Sequence, residues 1–263
     1  MNDVLRVSRD GAIVRLTLND NASRNSMSEA MLRALGQELR TAEDDHSISV
    51  IIIDAEGAAF SAGHNLKELT AHRSDDDQGA KYFAEIFGTC SDVMIALAQH
   101  RCVTIAQVHA LASAAGCQLV ASCDFAYAST AAHFCTPGVN IGLFCSTPMV
   151  ALSRAIGPRH AREMLLTGEI YDAEYALRVG LVNEIVAADV LRDYVLSVAK
   201  KIATKSQNAI KIGKPAIDAQ INFSLDDAYK HCAKVMVDNF LQDSAREGVG
   251  AVLEKRKPIW PPT

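Results

Sequence analysis

Along the first part of the chain the apolar positions alternate, then share a helical face, then run together. Val4 to Ser8, a turn at Asp10-Gly11, and Val14, Leu16 and Leu18 alternating with Arg15 and Thr17 predict a short hairpin. Ser26 followed by Glu29 has capping-box spacing, and Met31, Leu32, Leu35 and Leu39 fall on one face, which predicts a helix leaving the core at Asp44-Asp45. The run Val50-Ile51-Ile52-Ile53 is continuous, β-branched and short, as expected of a strand covered on both faces in a largely parallel sheet.

Apolar strands at Val103 to Val108 and Phe125 to Ala128 flank an Ala-rich helix over Ala114 to Ser122, a βαβ arrangement. A further helix-then-strand unit runs from Tyr175-Ala176-Leu177 through Gly180 to the strand Leu181 to Val186. This alternation predicts an α/β fold. Beyond Leu191 the strand patterns stop, and the remainder reads as helices broken near Gly213-Lys214-Pro215, then a basic stretch closed by Pro258, Pro261 and Pro262. Two units follow from this: a core over 1–190 and a helical unit over 191–263. The polar Asp75-Asp76-Asp77-Gln78-Gly79 stretch reads as a mobile surface loop, and no fixed-period repeat is visible.

A net charge of −5, with Lys and Arg outnumbered and ungathered, argues against a nucleic-acid partner, while a small anionic ligand needs only a few local cations. Met1 to Gly11 carries Asp3, Arg6, Arg9 and Asp10 and lacks the apolar run of a signal peptide or membrane span, so the expectation is a cytoplasmic protein without a membrane partner. The seven cysteines include no C-x-x-C pair and the histidines no H-E-x-x-H, so neither a disulfide framework nor a metal site is expected.

Two segments carry candidate chemistry. Phe60-Ser61-Ala62-Gly63-His64-Asn65-Leu66 follows the Val50 strand, and its small residues permit close approach to the backbone. Leu111-Ala112-Ser113-Ala114-Ala115-Gly116-Cys117-Gln118-Leu119 follows a strand and opens a helix, whose start offers unpaired N–H groups at a positive dipole end. Two such segments suit two amides aimed at one carbonyl oxygen, an arrangement that stabilises an enolate or a tetrahedral anion.

Together these segments resemble the F-x-A-G-x-D-L/I and A-x-G-G-G-x-E-L-x-x-x-C-D signatures of the crotonase (enoyl-CoA hydratase/isomerase) superfamily, in the same order. The resemblance continues through Thr136 to Leu143, Leu166-Thr167-Gly168-Glu169, Gly180-Leu181-Val182 and Glu254 to Pro258, covering nearly the whole chain. It looks closest to a subgroup carrying similar A-A-G-C-Q-L and G-V-N-x-G-L-F-C-S-T-P segments. It implies a crotonase-like ββα spiral with a helical C-terminal oligomerisation unit, a homotrimer or hexamer, and an acyl-CoA thioester as substrate or ligand with no separate cofactor. It also implies that the backbone N–H groups of His64 and Ala115 hold the thioester oxygen, the His64 imidazole being incidental.

The departures are equally specific. Where a hydratase of this family has its two catalytic glutamates, this chain has Gln118 and Gly138, neither of which exchanges a proton at neutral pH. Asn65 stands in place of the usual Asp of the first signature. Asn140, Cys145, Cys135 and Glu85 are the candidates to fill the gap. For the CoA portion the resemblance points to Arg24, Ala62 and Lys67, with Lys255, Arg256 and Lys257 offering charge to a neighbouring subunit. Three functions remain open: an enoyl-CoA hydratase-like lyase or isomerase, weak or inactive toward simple enoyl-CoA; a thioester hydrolase using water or Cys145; and a non-catalytic acyl-CoA-binding or regulatory protein.

Overall fold

A computed structural model of the chain describes residues 4–261. In chain order its elements are β1 (Leu5–Asp10), β2 (Ile13–Leu18), α1 (Glu29–Asp44), β3 (Val50–Ala55), β4 (Ala59–Ser61), α2 (Leu66–Ala71), α3 (Ala80–Gln99), β5 (Val103–Val108), β6 (Leu111–Ser113) and α4 (Ala115–Ser122). There follow β7 (Phe125–Ser129), β8 (His133–Cys135), α5 (Ser146–Ala155), α6 (Pro158–Thr167), β9 (Tyr171–Asp172), α7 (Ala173–Val179) and β10 (Glu184–Val186). The chain ends in α8 (Leu191–Ala203), α9 (Gln207–Gln220), α10 (Leu225–Phe240) and α11 (Asp243–Leu253).

Among the described residues, β1-β2-β3-β5-β7-β10 form one sheet and β4-β6-β8-β9 a second. The first is parallel apart from the β1–β2 hairpin, and the second is parallel apart from β8–β9. Consecutive strand pairs divide between the sheets: β3 and β4, β5 and β6, β7 and β8 each place the longer strand in the first sheet and a three-residue strand in the second. Each pair is a ββ step followed by helix, the α/β spiral expected from the sequence. Val50 to Ile53 are fully buried: β2 and β5 flank β3 in the sheet, and Ile51 and Ile53 share the core with Met31, Leu32, Leu35 and Leu39 of α1.

Arg15 on β2 donates to Asp54 on β3 at 2.5 Å and to Gln107 on β5 at 2.9 Å, and all three are buried. Thr17 also donates to Asp54. Breaking such a buried pair by removing one partner costs about 3–5 kcal/mol, so this network fixes the register of three strands.

Several local expectations are corrected. The cap of α1 is Ser28, whose hydroxyl accepts from Met31 N–H at 3.2 Å, whereas Ser26 is buried with its Oγ unpaired. The two serines are spaced alike from acceptable first-turn residues, and tertiary pairing of Met27 with the segment around His64 decides between them. The helix expected to break at Gly213-Lys214-Pro215 runs through Pro215 to Gln220. A proline costs a helix interior about 3 kcal/mol, which the packing of α9 against α10 offsets. The strand expected over Leu181 to Val186 shortens to Glu184–Val186. At the Asp75-to-Gly79 stretch, Asp77 accepts from Gly79 N–H and Lys81 N–H, each at 2.9 Å, and so caps the entry to α3.

The chain divides into two compact units, Met1–Lys200 and Lys201–Thr263. In the second unit α9 and α10 have no fully buried side chain, and Ile217, Ile221, Leu225, Tyr229, Met236, Phe240 and Leu241 are exposed. At its end Arg256 is held by the carboxylates of Glu247 and Glu254, and the indole of Trp260 donates to Thr204 O at 2.8 Å.

Candidate active site

The segment after β4 is held on two sides. On one, Met27 N–H donates to Gly63 O at 2.8 Å and Ala62 N–H to Arg24 O at 3.0 Å. Arg24 and Asn25 both adopt positive φ to make this approach. Asn25, fully buried, ties the turn together by donating to Glu56 O and Ala59 O and accepting from Asp20 N–H. On the other side lies the start of α4. A β-carbon on Gly63 would sit 2.9 Å from Ala114 Cβ, 3.1 Å from Ser113 O and 3.5 Å from Ala115 N, and one on Gly116 would sit 2.6 Å from Ser61 O. Glycine at 63 and 116 is therefore a packing requirement.

This contact brings His64 and Ala115 to one place. Ala115 is the first residue of α4, so its N–H has no intrahelical acceptor. Among the described residues neither the N–H of His64 nor that of Ala115 has an acceptor in the chain. Ala114, just before the helix, is held at φ 47 and ψ −112, a conformation unusual for a residue with a β-carbon, and its N–H donates to Cys135 O at 2.9 Å.

The His64 ring lies against the edge of Phe87 at 5.1 Å, and its Nδ1 meets Met27 O at 3.3 Å. Desolvation holds the imidazole below its ordinary pKa, so it is neutral at pH 7; with Nδ1 as donor to Met27 O, Nε2 is buried without a partner. Phe87 continues through Phe83 and Tyr82 to His72 as a chain of ring contacts along α3. Its helical spacing was readable in the sequence, but its partner was not.

Gln118 lies one turn along α4 from Ala115, 4% exposed, with Oε1 unpaired. Gly138 is buried in the 3-10 turn Pro137–Ile141 and does not adopt a positive φ. Its constraint is space: a β-carbon there would lie 3.0 Å from Cys145 Sγ and 3.1 Å from Leu143 O. Cys145 is buried, and this raises the pKa of its thiol. Cys117 on α4 and Cys135 at the end of β8 are also buried, and burial raises the pKa of both thiols. Thr136 Oγ1 is also buried without a partner.

The structure does not bring all sequence candidates together. Asn140 turns to the end of α6, donating to Gly168 O at 3.1 Å, and Glu85 is exposed on α3. Asn65 caps α2 by accepting from Lys67 and Glu68 N–H, so its side chain organises the helix entry. Arg24 and Lys67 are exposed, Arg24 beside Ala62 through the bond given above. Arg256 is committed to Glu247 and Glu254, which leaves Lys255 and Lys257 as the cations of that stretch. Ser113 and Cys117 lie in the second candidate segment and Thr136 opens the stretch that includes Gly138, but the sequence singled out none of the three as a separate site residue.

Comparison with known proteins places these features. The chain is 46% identical to mouse (Mus musculus) enoyl-CoA hydratase domain-containing protein 3, mitochondrial, over 96% of its own length and 82% of that protein. The crystal structure of human enoyl Coenzyme A hydratase domain-containing protein 3 superposes with a TM-score of 0.93 at 44% identity, covering 98% of this chain and 100% of that one. An enoyl-CoA hydratase from Mycobacterium smegmatis superposes with a TM-score of 0.91 at 43% identity, covering 98% of each chain. The subgroup indicated by the A-A-G-C-Q-L and G-V-N-x-G-L-F-C-S-T-P segments is that of the mouse and human relatives. The mouse relative is named as mitochondrial, which counts against the cytoplasmic expectation; among the described residues no helix is long and apolar enough to cross a membrane. Residues 8–262 match the enoyl-CoA hydratase/isomerase family model, and the chain belongs to that family, with the crotonase fold.

Proposed function

We propose that the chain binds an acyl-CoA thioester with its carbonyl oxygen between the N–H groups of His64 and Ala115, and that it is a poor hydratase of simple enoyl-CoA. The observation that carries this reading is the contact of Gly63 with Ala114, which sets two acceptor-less amides side by side. Donors fixed before the reaction stabilise charge that develops on the oxygen, and one such donor is worth roughly 10²–10³-fold in rate. An enolate formed there needs a proton donor and acceptor. Gln118 and Gly138 supply neither, and each missing group removes about 10²–10⁴-fold.

Arg24, Ala62 and Lys67 are the proposed contacts of the CoA portion: Arg24 and Lys67 are exposed cations beside the same backbone segment. The exposed apolar side chains of α9 and α10 support self-association as a homotrimer or hexamer, since exposed apolar patches of this kind mark interfaces. Light scattering across a dilution series should show it, and a stable monomer at micromolar concentration would remove it.

The test is calorimetric binding of butyryl-CoA alongside turnover of crotonyl-CoA. Binding with little or no hydration is expected. Hydration at ordinary rates of ~10–10³ s⁻¹ by protein free of host hydratase would overturn the claim about these two positions.

A further inference from the structure

We propose that the Cys145 thiol moves the proton at the carbon next to the thioester carbonyl, from the room that Gly138 leaves vacant. The proposal rests on the acyl-CoA reading above. A β-carbon on Gly138 would lie 3.0 Å from Cys145 Sγ and 3.2 Å from Cys145 N, so the thiol occupies the space into which a longer residue 138 would extend. The loop between them is closed by Leu143 N–H donating to Gly138 O at 2.9 Å. Cys145 stands at the N-cap of the ten-residue α5, where the helix dipole favours a developing thiolate.

The thiol is not isolated from the amide pair. The helix that Cys145 opens, α5, packs against α4, which begins at Ala115, and Cys135, ten residues earlier, accepts from Ala114 N–H through its carbonyl at 2.9 Å. Two further atoms point to a polar ligand in this neighbourhood. Gln118 Oε1 and Thr136 Oγ1 belong to side chains at least nine-tenths buried, and both lack partners, where buried polar atoms ordinarily find one. A carboxamide and an alcohol can position a ligand but do not exchange its C–H proton at neutral pH. Of the three thiols Cys145 is the least enclosed, at 8% exposed against 3% for Cys135 and 1% for Cys117.

In the step proposed, the Cys145 thiolate takes the α-proton: the C–H bond breaks, an S–H bond forms, and the electron pair moves to the carbonyl oxygen as an enolate. The reverse step returns a proton from sulfur to carbon. In heavy water the thiol exchanges with solvent, so deuterium enters the α-position with no other reactant. Because burial keeps the thiol protonated near neutrality, only the small thiolate fraction is active, and that fraction grows about tenfold per pH unit below the pKa.

The experiment is incubation of butyryl-CoA with the protein in heavy water, with α-deuterium read by mass spectrometry and affinity by calorimetry. Exchange should rise about tenfold per pH unit from pH 7 to 9 and fall ~10²-fold or more in Cys145→Ala, with affinity retained. Cys232→Ser, in the second unit, should exchange like the unmodified protein. Cys145→Ser keeps the shape of the site with a far weaker acid, should lose exchange likewise, and decides the matter if the alanine variant does not fold. Exchange that is flat with pH, or that survives in the serine variant, overturns the role of Cys145. Tight binding with no exchange in the unmodified protein overturns it while leaving the acyl-CoA reading standing, and absence of binding overturns both.

Discussion

Gly63 and Ala114 touch across two loops: a β-carbon on the glycine would lie 2.9 Å from that of the alanine. The contact holds the His64 and Ala115 amides together, and Gly63 meets it at φ 88, a backbone conformation that side chains resist. Gly63→Ala must therefore push the two segments apart. We expect a loss of about 1–3 kcal/mol in stability, read by denaturant unfolding, and at least a tenfold loss of butyryl-CoA affinity. Unchanged affinity in a folded variant would remove the amide pair from the binding site.

The positions at 118 and 138 respond differently to glutamate. Gln118→Glu changes no volume to speak of and should be tolerated. Gly138→Glu meets Cys145 Sγ and Leu143 O, and so should cost about 1–3 kcal/mol through crowding rather than through backbone angles. The double variant is expected to hydrate crotonyl-CoA faster than the unmodified protein once stability and affinity are shown to be intact, and pairing it with Cys145→Ala should relieve the crowding. A folded, ligand-binding double variant with no gain in rate would count against these positions.

His64→Ala tests whether the side chain matters beyond its backbone. The variant loses the Phe87 contact, worth about 0.5–1.5 kcal/mol, and frees Met27 O. Most acyl-CoA affinity should remain, because the amide is retained. Loss of turnover with ligand still bound would promote the imidazole, whose buried, unpaired Nε2 is then the atom to assign.

Glu247 gives a pH prediction in the second unit. Hydrogen bonds from Arg256 and from Ile259 N–H lower its pKa from an ordinary 4.5 to about 2. A carboxylate depressed on folding contributes stability that is present above its unfolded pKa and is lost as pH falls through the folded one. Release of the clasp is therefore expected between about pH 4.5 and pH 2. Trp260, the sole tryptophan, sits next to it against Gly248 and reports the change by fluorescence. Glu247→Gln should abolish this acid transition, and its persistence would assign the transition to other carboxylates.

The sequence alone determined what depends on local burial and periodicity. The Val50-to-Ile53 run could only be a two-sided buried strand, Met31, Leu32, Leu35 and Leu39 only one helical face, and the order of signature segments gave the family. Three-residue strands such as β4, β6 and β8 are too short to carry a pattern and are strands because their neighbours in the second sheet make them so. The same holds for the site. Which serine caps α1, whether Pro215 breaks a helix, and where Asn140 turns were settled by packing between distant segments. Gly63 meets Ala114, and Cys145 fills the room beside Gly138, because sheet pairing brings chain positions far apart in sequence within van der Waals contact, a distance that no one-dimensional pattern encodes.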